Sequence, residues 1–422
     1  MSIVTSTVPA PDLGALETGG TVDLHHAPRR RVLIGADTYP PDVNGAGYFT
    51  HRLAAGLVAR GNEVHVVCPS DTGPSGVEVR DGVTVHRLRS HALLLHPTMR
   101  FVVPGAASAA MREVFDAVRP EVVHVQGHFP VGRSCLYTAK RSGVPAVATN
   151  HFMPDNLLHH VRVPRRLREF VAARAWKDAA RVFSRADHVT TPTPLAAKVF
   201  RDNGYRGDIE AVSCGIDLSR FHPRVGPASA ARARFGLPDR DTVVFVGRLD
   251  EEKRIGDLIR AMPQVRRHVD AQLVVAGIGP EHQRLTALAA DLGISAYVRL
   301  LGFVPDEDLP EFYRAGDVFA IAGIAELQSI VTLEAMASGL PVVAADAVAL
   351  PHLVKNGQNG YLFTPGDIEG ISTRIRAILT PPREVEAMGS SSRAMALTHD
   401  HTNSLRRFED VYSGLVASGS RQ

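Results

Sequence analysis

The sequence predicts an α/β protein with two doubly wound domains. Short runs of β-branched and other apolar residues recur along the chain, each followed by a turn and a stretch of helical periodicity. Strands and helices that alternate in this way form parallel sheets covered by helices on both faces. The alternation begins at Arg31, is interrupted near residue 225 and resumes at Val243, so we expect two Rossmann-like domains that face a cleft.

The composition is that of an ordinary globular protein. Of 422 residues, 45% are hydrophobic and 22% charged, and a net charge of +3 does not indicate nucleic-acid binding. Three widely separated cysteines without metal-ligand spacing favour a reduced compartment and core positions for the thiols. Residues 1–28 lack the pattern of a signal peptide and are expected to form a flexible tail, and no later stretch is long enough to span a membrane. We therefore expect a cytoplasmic protein.

The first domain is predicted at residues 29–224 and opens with a strand, a turn-rich loop, a helix and a second strand. The loop contains Gly45 and Gly47, and such a unit should form a right-handed crossover in a parallel sheet. The fingerprint Gly-x-Gly-x-x-Gly is incomplete because residue 50 is Thr, which disfavours a nicotinamide oxidoreductase. Two interpretations stay open: the glycines allow a ligand to approach the backbone, or they only allow a tight turn.

Two buried strands, at 121–126 and 146–149, end in polar residues. His124 alternates with valines inside its strand and is predicted to lie in the core. His128, Asn150 and His151 follow the carboxyl ends of the strands, where binding residues concentrate. These three residues are therefore candidate site residues.

A helix predicted at 165–185 combines an apolar stripe with a basic face. From His159 to Arg185 the chain has eight basic residues and two acidic ones, a net charge of +6. Such a face could contact anionic lipid weakly, which would place the protein at the inner membrane face, or it could simply be solvated. The predicted stripe consists of Leu167, Phe170, Val171, Ala175, Ala179 and Val182.

The second domain is predicted at residues 225–400, after a linker at 226–230. Arg248 and Lys253 lie in the loop that follows its first strand. A planar guanidinium and a flexible ammonium at a helix start suit a diphosphate that gains charge as its bond to a sugar breaks. Two solvated cations beside acidic neighbours are the alternative. Helices are also predicted at 383–397 and 402–417.

A short helix predicted from Ser329 to Ala337, ended by Gly339, carries the central motif of the second domain. Glu326 precedes this helix and Glu334 lies within it, so both carboxylates could reach one cleft from the carboxyl edge of a parallel sheet. Peptide NH groups at a helix start would favour an anionic or hydroxyl-rich ligand. The alternative is an amphipathic helix with two solvated glutamates.

This motif resembles the signature of the retaining glycosyltransferases of family 4, which have the GT-B fold. Glu326, seven residues, Glu334 and then Ala-Met-Ala-Ser-Gly-x-Pro-Val-Val-Ala match it, and so do Gly247-Arg-Leu249 with Lys253. The resemblance covers the chain from Arg31 onward. One departure is the segment after Glu326, which is Leu-Gln-Ser-Ile where the family usually has Gly-aromatic-Gly-Leu.

The resemblance implies a role for each matched residue. Glu326 would contact the donor sugar, Glu334 would hold the ribose hydroxyls, and Arg248 and Lys253 would stabilise the departing diphosphate. The family often has a His near the donor sugar; this prediction is carried to His128, although the commonest spacing would place it at Gln126. The remaining predicted contacts are with the donor for Gly45, Gly47, Gly302, Val304, Gln328, Ser329 and Ile330, and with the acceptor for Asn150 and His151. Residues 401–422 would form a helix that crosses back to the first domain.

The predicted function is transfer of a hexose-type sugar from a nucleoside-diphosphate sugar to a lipid, sugar or secondary-metabolite acceptor, with retention of configuration. No metal or other cofactor is expected, because Asp239-x-Asp241 and Asp306-x-Asp308 are interpreted as turn and helix-cap acids. A phosphorylase, a nucleotide-sugar epimerase or a non-catalytic sensor on the same scaffold stays open as an alternative. The sugar, the base, the acceptor and the oligomeric state are not fixed by the sequence.

Overall fold

Two parallel β-sheets with helices on both faces organise the computed structural model, which describes residues 29–41, 45–92, 100–153 and 165–419. The predicted tail at 1–28, part of the basic segment at 159–164 and the last three residues of the predicted C-terminal helix lie outside the described residues. The two sheets confirm the predicted α/β class with two doubly wound domains.

The first sheet has the strand order β10-β9-β8-β7-β1-β2-β4-β3, and only its edge pair β3–β4 is antiparallel. Its inner strands are almost entirely buried and mostly apolar, as expected for a sheet that is covered on both faces. A separate short pair, β5–β6, follows β4. The strands are β1 Arg31–Gly35, β2 Glu63–Pro69, β3 Gly76–Arg80, β4 Val83–Leu88, β5 His91–Ala92, β6 Arg100–Phe101, β7 Val122–Val125, β8 Ala146–Thr149, β9 His188–Thr191 and β10 Glu210–Ala211.

Helices of the first half pack on opposite faces of this sheet. One core contains residues of α2 to α5, and the other contains residues of α1 and of the last helix of the chain. The first-half helices are α1 Gly45–Ala59, α2 Pro104–Val118, α3 Pro130–Ser142, α4 Arg165–Phe183 and α5 Pro194–Asp202. The three cysteines are buried, which agrees with their predicted core positions.

The second sheet is parallel throughout, with the order β13-β12-β11-β14-β15-β16. Its strands are β11 Asp241–Val246, β12 Ala271–Ala276, β13 Val298–Gly302, β14 Val318–Ile321, β15 Val342–Ala345 and β16 Gly360–Phe363. The helices of this half are α6 Ala228–Arg234, α7 Ile255–Arg266, α8 His282–Asp291, α9 Leu309–Arg314, α10 Ile330–Ala337, α11 Leu350–Leu353, α12 Ile368–Leu379, α13 Val385–Ala396 and α14 His401–Gly419.

The predicted linker at 226–230 is shorter in the structure, because α6 begins at Ala228. Pro227 occupies the N-cap position, and Ala-Ser-Ala-Ala-Arg then has high helix propensity. The segment 226–230, which is rich in Gly, Pro, Ser and Ala, therefore contains the start of a helix as well as a turn.

The last helix, α14, packs against the first domain. Phe408 and Tyr412 are buried in the α1-side core, and the Tyr412 hydroxyl lies 2.7 Å from Nδ1 of His124. Arg60 of α1 pairs with Glu409 at 2.7 Å. Nε2 of His124 contacts the Thr149 hydroxyl at 2.6 Å, so this histidine is a satisfied core residue, as its place within the strand predicted.

The predicted apolar stripe of α4 is buried only in its second half. Ala179 and Val182 lie in the core, but Leu167, Phe170 and Val171 are 46%, 64% and 38% exposed. Leu167, Phe170 and Val171 therefore form an exposed apolar surface at the start of α4. Within the part of the chain that the structure describes, no helix has the length and apolar character needed to cross a membrane.

Candidate active site

The loops after β11 and β12 pack so closely that glycine is required between them. A Cβ at Gly277 would lie 1.8 Å from the carbonyl oxygen of Gly247, and Gly277 has φ +151°. The Leu249 amide also donates to the Ile278 carbonyl at 2.9 Å. This packing fixes the backbone on both sides of Arg248. Gly302, at the end of β13 with φ +75°, accepts a hydrogen bond from the Gly277 amide at 2.7 Å. Val304 packs on the second-domain core.

Arg248 and Lys253 lie in one network with three carboxylates. Nη1 of Arg248 is 2.5 Å from Asp250 Oδ2, and its Nη2 donates to Glu252 Oε1 at 3.2 Å. Nζ of Lys253 donates to Glu326 Oε1 at 2.6 Å and lies 3.6 Å from Glu252 Oε1. Burial lowers the pKa of Lys253, but Glu326 and Glu252 outweigh it and hold this pKa above its usual value. The structure thus brings together three of the four residues predicted as catalytic.

The loop between Glu326 and α10 is held by the first domain. The Thr193 hydroxyl donates to the Leu327 carbonyl at 2.9 Å, and the Gln328 side chain accepts from the Cys214 amide at 2.8 Å and donates to the Ser213 hydroxyl at 2.6 Å. Ile330 packs on the α1-side core. The segment that departs from the family pattern is therefore an interdomain contact, and the Gln328 side chain is fully used by it.

Ser329 differs from the predicted serine cap. It occupies the N-cap position, but no side-chain capping bond forms, and its Oγ instead contacts the Thr332 hydroxyl at 2.7 Å. Its φ of +66° lies in the left-handed region, which a residue with a Cβ adopts at a cost. Ser329 thus adopts, at a position where the family usually has Gly, a backbone conformation that glycine adopts without this cost.

Glu334 is buried, with 3% of its surface exposed. The Tyr313 hydroxyl donates to its Oε2 at 2.9 Å. Burial raises the pKa of Glu334 to about 7, although Arg52, the Tyr313 hydrogen bond and Arg220 each lower it. The carboxylate predicted to hold ribose is therefore close to half protonated at neutral pH.

The first domain also touches the second domain through α1. The Tyr48 hydroxyl donates to Oδ1 of Asp306, and Arg220 donates to Oδ2 of the same carboxylate at 2.8 Å. The prediction that Asp306 serves as a turn or cap acid was wrong, since its side chain joins two distant segments. Asp239 and Asp241 likewise form ion pairs, with Arg232 and Arg383.

Gly45 and Gly47 lie in the first turn of α1 rather than in a loop. The interpretation as a tight turn is excluded by this helical conformation. Among the residues that the structure describes, a Cβ at Gly45 would meet no atom within 4 Å, so these residues leave the backbone at Gly45 open to close approach.

Four polar residues follow the carboxyl ends of two neighbouring strands. Gln126 and His128 follow β7, and Asn150 and His151 follow β8. The His128 ring is buried among aromatic rings, 4.3 Å from Phe129 and 4.6 Å from Phe152 between centroids. Gln126, by contrast, accepts a hydrogen bond through Oε1 from Nε2 of His151 at 3.0 Å. Burial lowers the pKa of both His128 and His151 to about 4, so both rings are neutral at pH 7. Asn150 is fully buried and its Oδ1 accepts from the Phe152 amide at 3.0 Å.

Several residues at this interface had no signal in the sequence that could single them out. Tyr48, Arg52 and Thr193 belong to the first domain, and Arg220, Asp306 and Tyr313 follow later in the chain. Their contacts join segments separated by tens to hundreds of residues, and no periodic pattern or short motif records such pairs. Among the residues described, no group of three or more His, Cys, Asp or Glu could hold a metal ion, and the role of metal stays a prediction.

Comparison with known proteins identifies the family. The model "Glycosyl transferases group 1" matches residues 229–395, and "Glycosyltransferase Family 4" matches residues 43–220. The chain is 36% identical over 378 residues, 87% of its length and 94% of the relative's, to the "GDP-mannose-dependent alpha-(1-6)-phosphatidylinositol monomannoside mannosyltransferase" of Mycolicibacterium smegmatis. It is 31% identical over 405 residues, 89% of its length and 88% of the relative's, to a "D-inositol 3-phosphate glycosyltransferase" of Acidothermus cellulolyticus.

Solved structures show the same fold. A sucrose-phosphate synthase from Thermosynechococcus elongatus superposes with a TM-score of 0.77 at 20% identity, covering 92% of this chain and all of that one. Anabaena HepE in complex with UDP-glucose superposes with a TM-score of 0.73 at 19% identity, with the same coverage. The family models, the identity to these relatives and the shared fold place this chain among the group 1 glycosyltransferases of family 4, as a retaining glycosyltransferase with the GT-B fold.

Proposed function

We propose that this enzyme transfers a hexose from a nucleoside-diphosphate sugar to a hydroxyl of a lipid-linked polyol or sugar, with retention of configuration. The cluster of Arg248, Lys253 and Glu326 carries the proposal, and the loop that follows Glu326 contacts the first domain through Leu327. GDP-mannose and a phosphatidylinositol-type acceptor are the first substrates to test, because the relative from Mycolicibacterium smegmatis is named for them.

The diphosphate binds at Arg248 and Lys253. As the sugar–oxygen bond breaks, the leaving phosphate oxygen gains negative charge, and preorganised cations stabilise that charge more in the transition state than in the ground state. Lys253 is already desolvated and held by Glu326 at 2.6 Å, so the ammonium is positioned before the donor binds. The same ion pair holds the carboxylate of Glu326 beside the sugar carbon of the bound donor.

The nucleoside binds to the edge formed by Gly302, Val304 and Glu334. The backbone at Gly302 and Val304 contacts the base, and Glu334 accepts hydrogen bonds from the ribose hydroxyls. The backbone of Gln328, Ser329 and Ile330 borders the donor at the start of α10. Glu334 lies near Asp306, and the contact of Asp306 with Tyr48 joins the two domains. This position agrees with the proposed arrangement.

The acceptor lies on the first-domain side. Asn150 and His151 at the end of β8 contact it, and His128 is kept as a candidate near the donor sugar, although its ring is enclosed by Phe129 and Phe152. Gly45 and Gly47 lie at the start of a 15-residue helix, and such a helix start suits a phosphate group of the donor or of the acceptor.

We further propose that α4 docks on an anionic membrane surface. Leu167, Phe170 and Val171 are exposed on adjacent turns of this helix. An apolar patch ringed by cations can insert into the headgroup region while each cation gains about 1 kcal/mol near anionic lipid. The exposed basic residues on the same helix are Arg166, Arg174, Lys177 and Arg181. Docking would bring the enzyme to a lipid-linked acceptor.

The test is incubation of the purified protein with a panel of labelled nucleotide sugars, GDP-mannose and UDP-glucose among them, and with phosphatidylinositol or inositol phosphate. We expect a glycosylated acceptor whose anomeric configuration matches that of the donor, and turnover that is unchanged by a chelator. Free sugar phosphate formed from inorganic phosphate would identify a phosphorylase instead. An epimerised donor without transfer would identify an epimerase.

A further inference from the structure

Within residues 165–419 the chain crosses from the first domain to the second after β10 and returns at α14, and the two crossings lie side by side. The Ile216 amide donates to the His399 carbonyl at 2.8 Å, and the His401 amide donates to the Ile216 carbonyl at 3.0 Å. Gly215, with φ +68°, permits this packing, because a Cβ there would lie 2.4 Å from Cα of His401. The two crossings are therefore joined through their backbones at the boundary of the domains.

The Gln328 side chain ties the loop before α10 to both crossings. This residue is 4% exposed, and its Oε1 accepts from the Cys214 amide at 2.8 Å, so its Nε2 is the donor to Ser213 Oγ at 2.6 Å. The Gly215 amide also donates to Ser213 Oγ, at 3.1 Å. The hydroxyl proton of Ser213 is then left for Nδ1 of His399, 2.9 Å away. A directed chain of hydrogen bonds thus runs from Gln328 to His399.

His399 can accept this proton at neutral pH. Burial, followed by the neighbouring His352, lowers the pKa of His399 to about 4, so its ring is uncharged at pH 7. The His352 ring meets it edge-on, with 6.3 Å between centroids. The chain of hydrogen bonds therefore keeps one direction in the neutral range.

The loop that Gln328 fixes also carries Glu326. Two residues before Gln328, the Glu326 carboxylate accepts from Nζ of Lys253 at 2.6 Å. Between them, the Leu327 carbonyl accepts from the Thr193 hydroxyl of the first domain at 2.9 Å. The carboxylate that pairs with Lys253 is thus followed directly by two residues that are held from outside the second sheet.

Glu326 has one backbone anchor of its own in the second domain, since the Ala349 amide donates to its carbonyl at 3.1 Å. A single anchor fixes one point of a loop but not its direction, and the bonds of Gln328 supply the second point. Arg248 depends on neither anchor, because its carboxylate partners lie within four residues in its own loop. The hydrogen bonds of the Gln328 side chain therefore bear on Glu326 and leave the Arg248 side of the cluster alone.

We propose that Gln328 is a positioning residue whose side chain, anchored to Cys214 and Ser213 at the crossings, holds Glu326 against Lys253. This inference rests on the proposed function for the donor that the ion pair would meet. It gives the two parts of Gln328 different roles, because its backbone borders the donor while its side chain serves the crossings.

The reactivity of the Lys253 amine tests the inference without any substrate. Glu326 favours the charged ammonium, so a displaced Glu326 lowers the pKa of Lys253 and increases the unprotonated fraction that acetic anhydride acetylates. Labelling at pH 9 is measured by mass spectrometry, with the exposed Lys198 as internal reference. We expect Glu326→Gln to accelerate labelling of Lys253 about tenfold, and Gln328→Leu to accelerate it at least about threefold.

The double variant shows whether Gln328 acts through Glu326. Gln328→Leu should add nothing in the Glu326→Gln background, because the carboxylate that it positions is already neutral. Faster labelling in that background would mean that Gln328 only shields the ammonium, and this result, or no acceleration in the single variant, would overturn the inference.

Ser213 provides a second pair of variants at the next link of the chain. Ser213→Ala removes the hydroxyl and should accelerate labelling as Gln328→Leu does. Ser213→Thr keeps the hydroxyl and should label within about twofold of the natural protein. Equal labelling in Ser213→Ala and Ser213→Thr would contradict the proposed chain, even if Gln328→Leu does not fold.

Gln264→Leu is the matched control. This glutamine also joins two elements, since its Oε1 accepts from the Ser372 hydroxyl at 2.7 Å, but both elements lie in the second domain. The variant should lower Tm and leave the labelling of Lys253 unchanged. Equal acceleration in Gln264→Leu and Gln328→Leu would show general loosening of the domain and would refute a positioning role.

Kinetics separate this inference from the proposed function. With a donor and an acceptor that the natural protein uses, Gln328→Leu should lower kcat about tenfold or more, because a misplaced Glu326 spoils the geometry, while Kd for the bare nucleotide stays within about twofold. A matching loss of nucleotide affinity would place the side chain in nucleotide binding and overturn the inference. The expected labelling pattern in a protein that transfers no sugar would support the inference and refute the proposed function, and sugar transfer with unchanged labelling would do the reverse.

Discussion

Lys253 and Glu326 form an ion pair of 2.6 Å that joins the loop after β11 to the loop before α10. Both side chains are mostly buried, at 17% and 12% exposure, so the pair is poorly screened by solvent. In the proposed function, the donor diphosphate shares this ammonium with Glu326. The ion pair would then link binding of the phosphate to the position of the carboxylate next to the sugar.

Removal of either cation should slow the transfer step. We expect Arg248→Ala and Lys253→Ala each to lower kcat by roughly 100-fold, the scale observed when a charge partner of the transition state is lost. Lys253→Ala should also destabilise the protein, because Glu326 is left with an unpaired charge. The checks are steady-state kinetics and thermal melting. Lys198→Ala, at a surface lysine paired with Asp202, is the control and should leave kcat unchanged.

Ser329 stores backbone strain that a glycine would release. We expect Ser329→Gly to raise the free energy of unfolding by about 1 kcal/mol, because glycine adopts a φ of +66° without the clash of a Cβ. Ser338→Gly, at the other end of α10 with φ −77°, should bring no gain. Chemical denaturation measures both. A loss of stability in Ser329→Gly would mean that its contact with the Thr332 hydroxyl outweighs the strain.

Local signals and the family motif predicted different parts of the molecule. The strand Ala146–Thr149 was predicted at its observed bounds, since a buried parallel strand is a short, mostly apolar run that can be recognised in the local sequence. The exposed start of α4 was not predicted, because an apolar stripe does not tell whether a neighbouring element covers it. Contacts such as Tyr48 with Asp306, 258 residues apart, depend on how two domains meet and have no local pattern.

The apolar patch on α4 should control membrane binding. We expect the double variant Phe170→Ser with Val171→Ser to lose most of its co-sedimentation with vesicles rich in phosphatidylglycerol, because the apolar surface that inserts is gone. Val225→Ser removes a valine that is 97% exposed elsewhere and should bind as the natural protein does. Binding should weaken as salt rises. Equal binding to neutral phosphatidylcholine vesicles, or none to either kind, would refute the docking surface.

Glu334 should make the ligand-free protein less stable as pH rises. Its pKa is about 7 in the folded state against 4.5 for the ordinary group, so the folded state binds more protons between these values. Stability from this residue is therefore full below about pH 4.5 and declines up to about pH 7, by roughly 3 kcal/mol in total. Glu334→Gln cannot titrate. As the pH rises across this range, the natural protein should therefore lose unfolding free energy relative to the variant. A difference between the two proteins that does not depend on pH would contradict the assignment.

The same substitution tests whether Glu334 binds ribose. A carboxylate accepts from both ribose hydroxyls, whereas Gln has one carbonyl acceptor and one amide donor, and hydrogen bonds to a charged group contribute about 1.5–3 kcal/mol. We expect Glu334→Gln to weaken nucleotide binding by that amount at pH 8, where the natural carboxylate is ionised, and by less at pH 6. A 2′-deoxyribose nucleotide should bind the natural protein more weakly than the ribose form, and the variant should discriminate much less, since the interaction that the deoxy ligand lacks is already absent. Calorimetry with the four combinations of protein and ligand gives the coupling directly.

Tyr313→Phe, which removes only the hydroxyl that donates to Glu334 at 2.9 Å, should keep the discrimination, because both ribose contacts remain. Unchanged discrimination in Glu334→Gln would show that this carboxylate serves the buried interface alone.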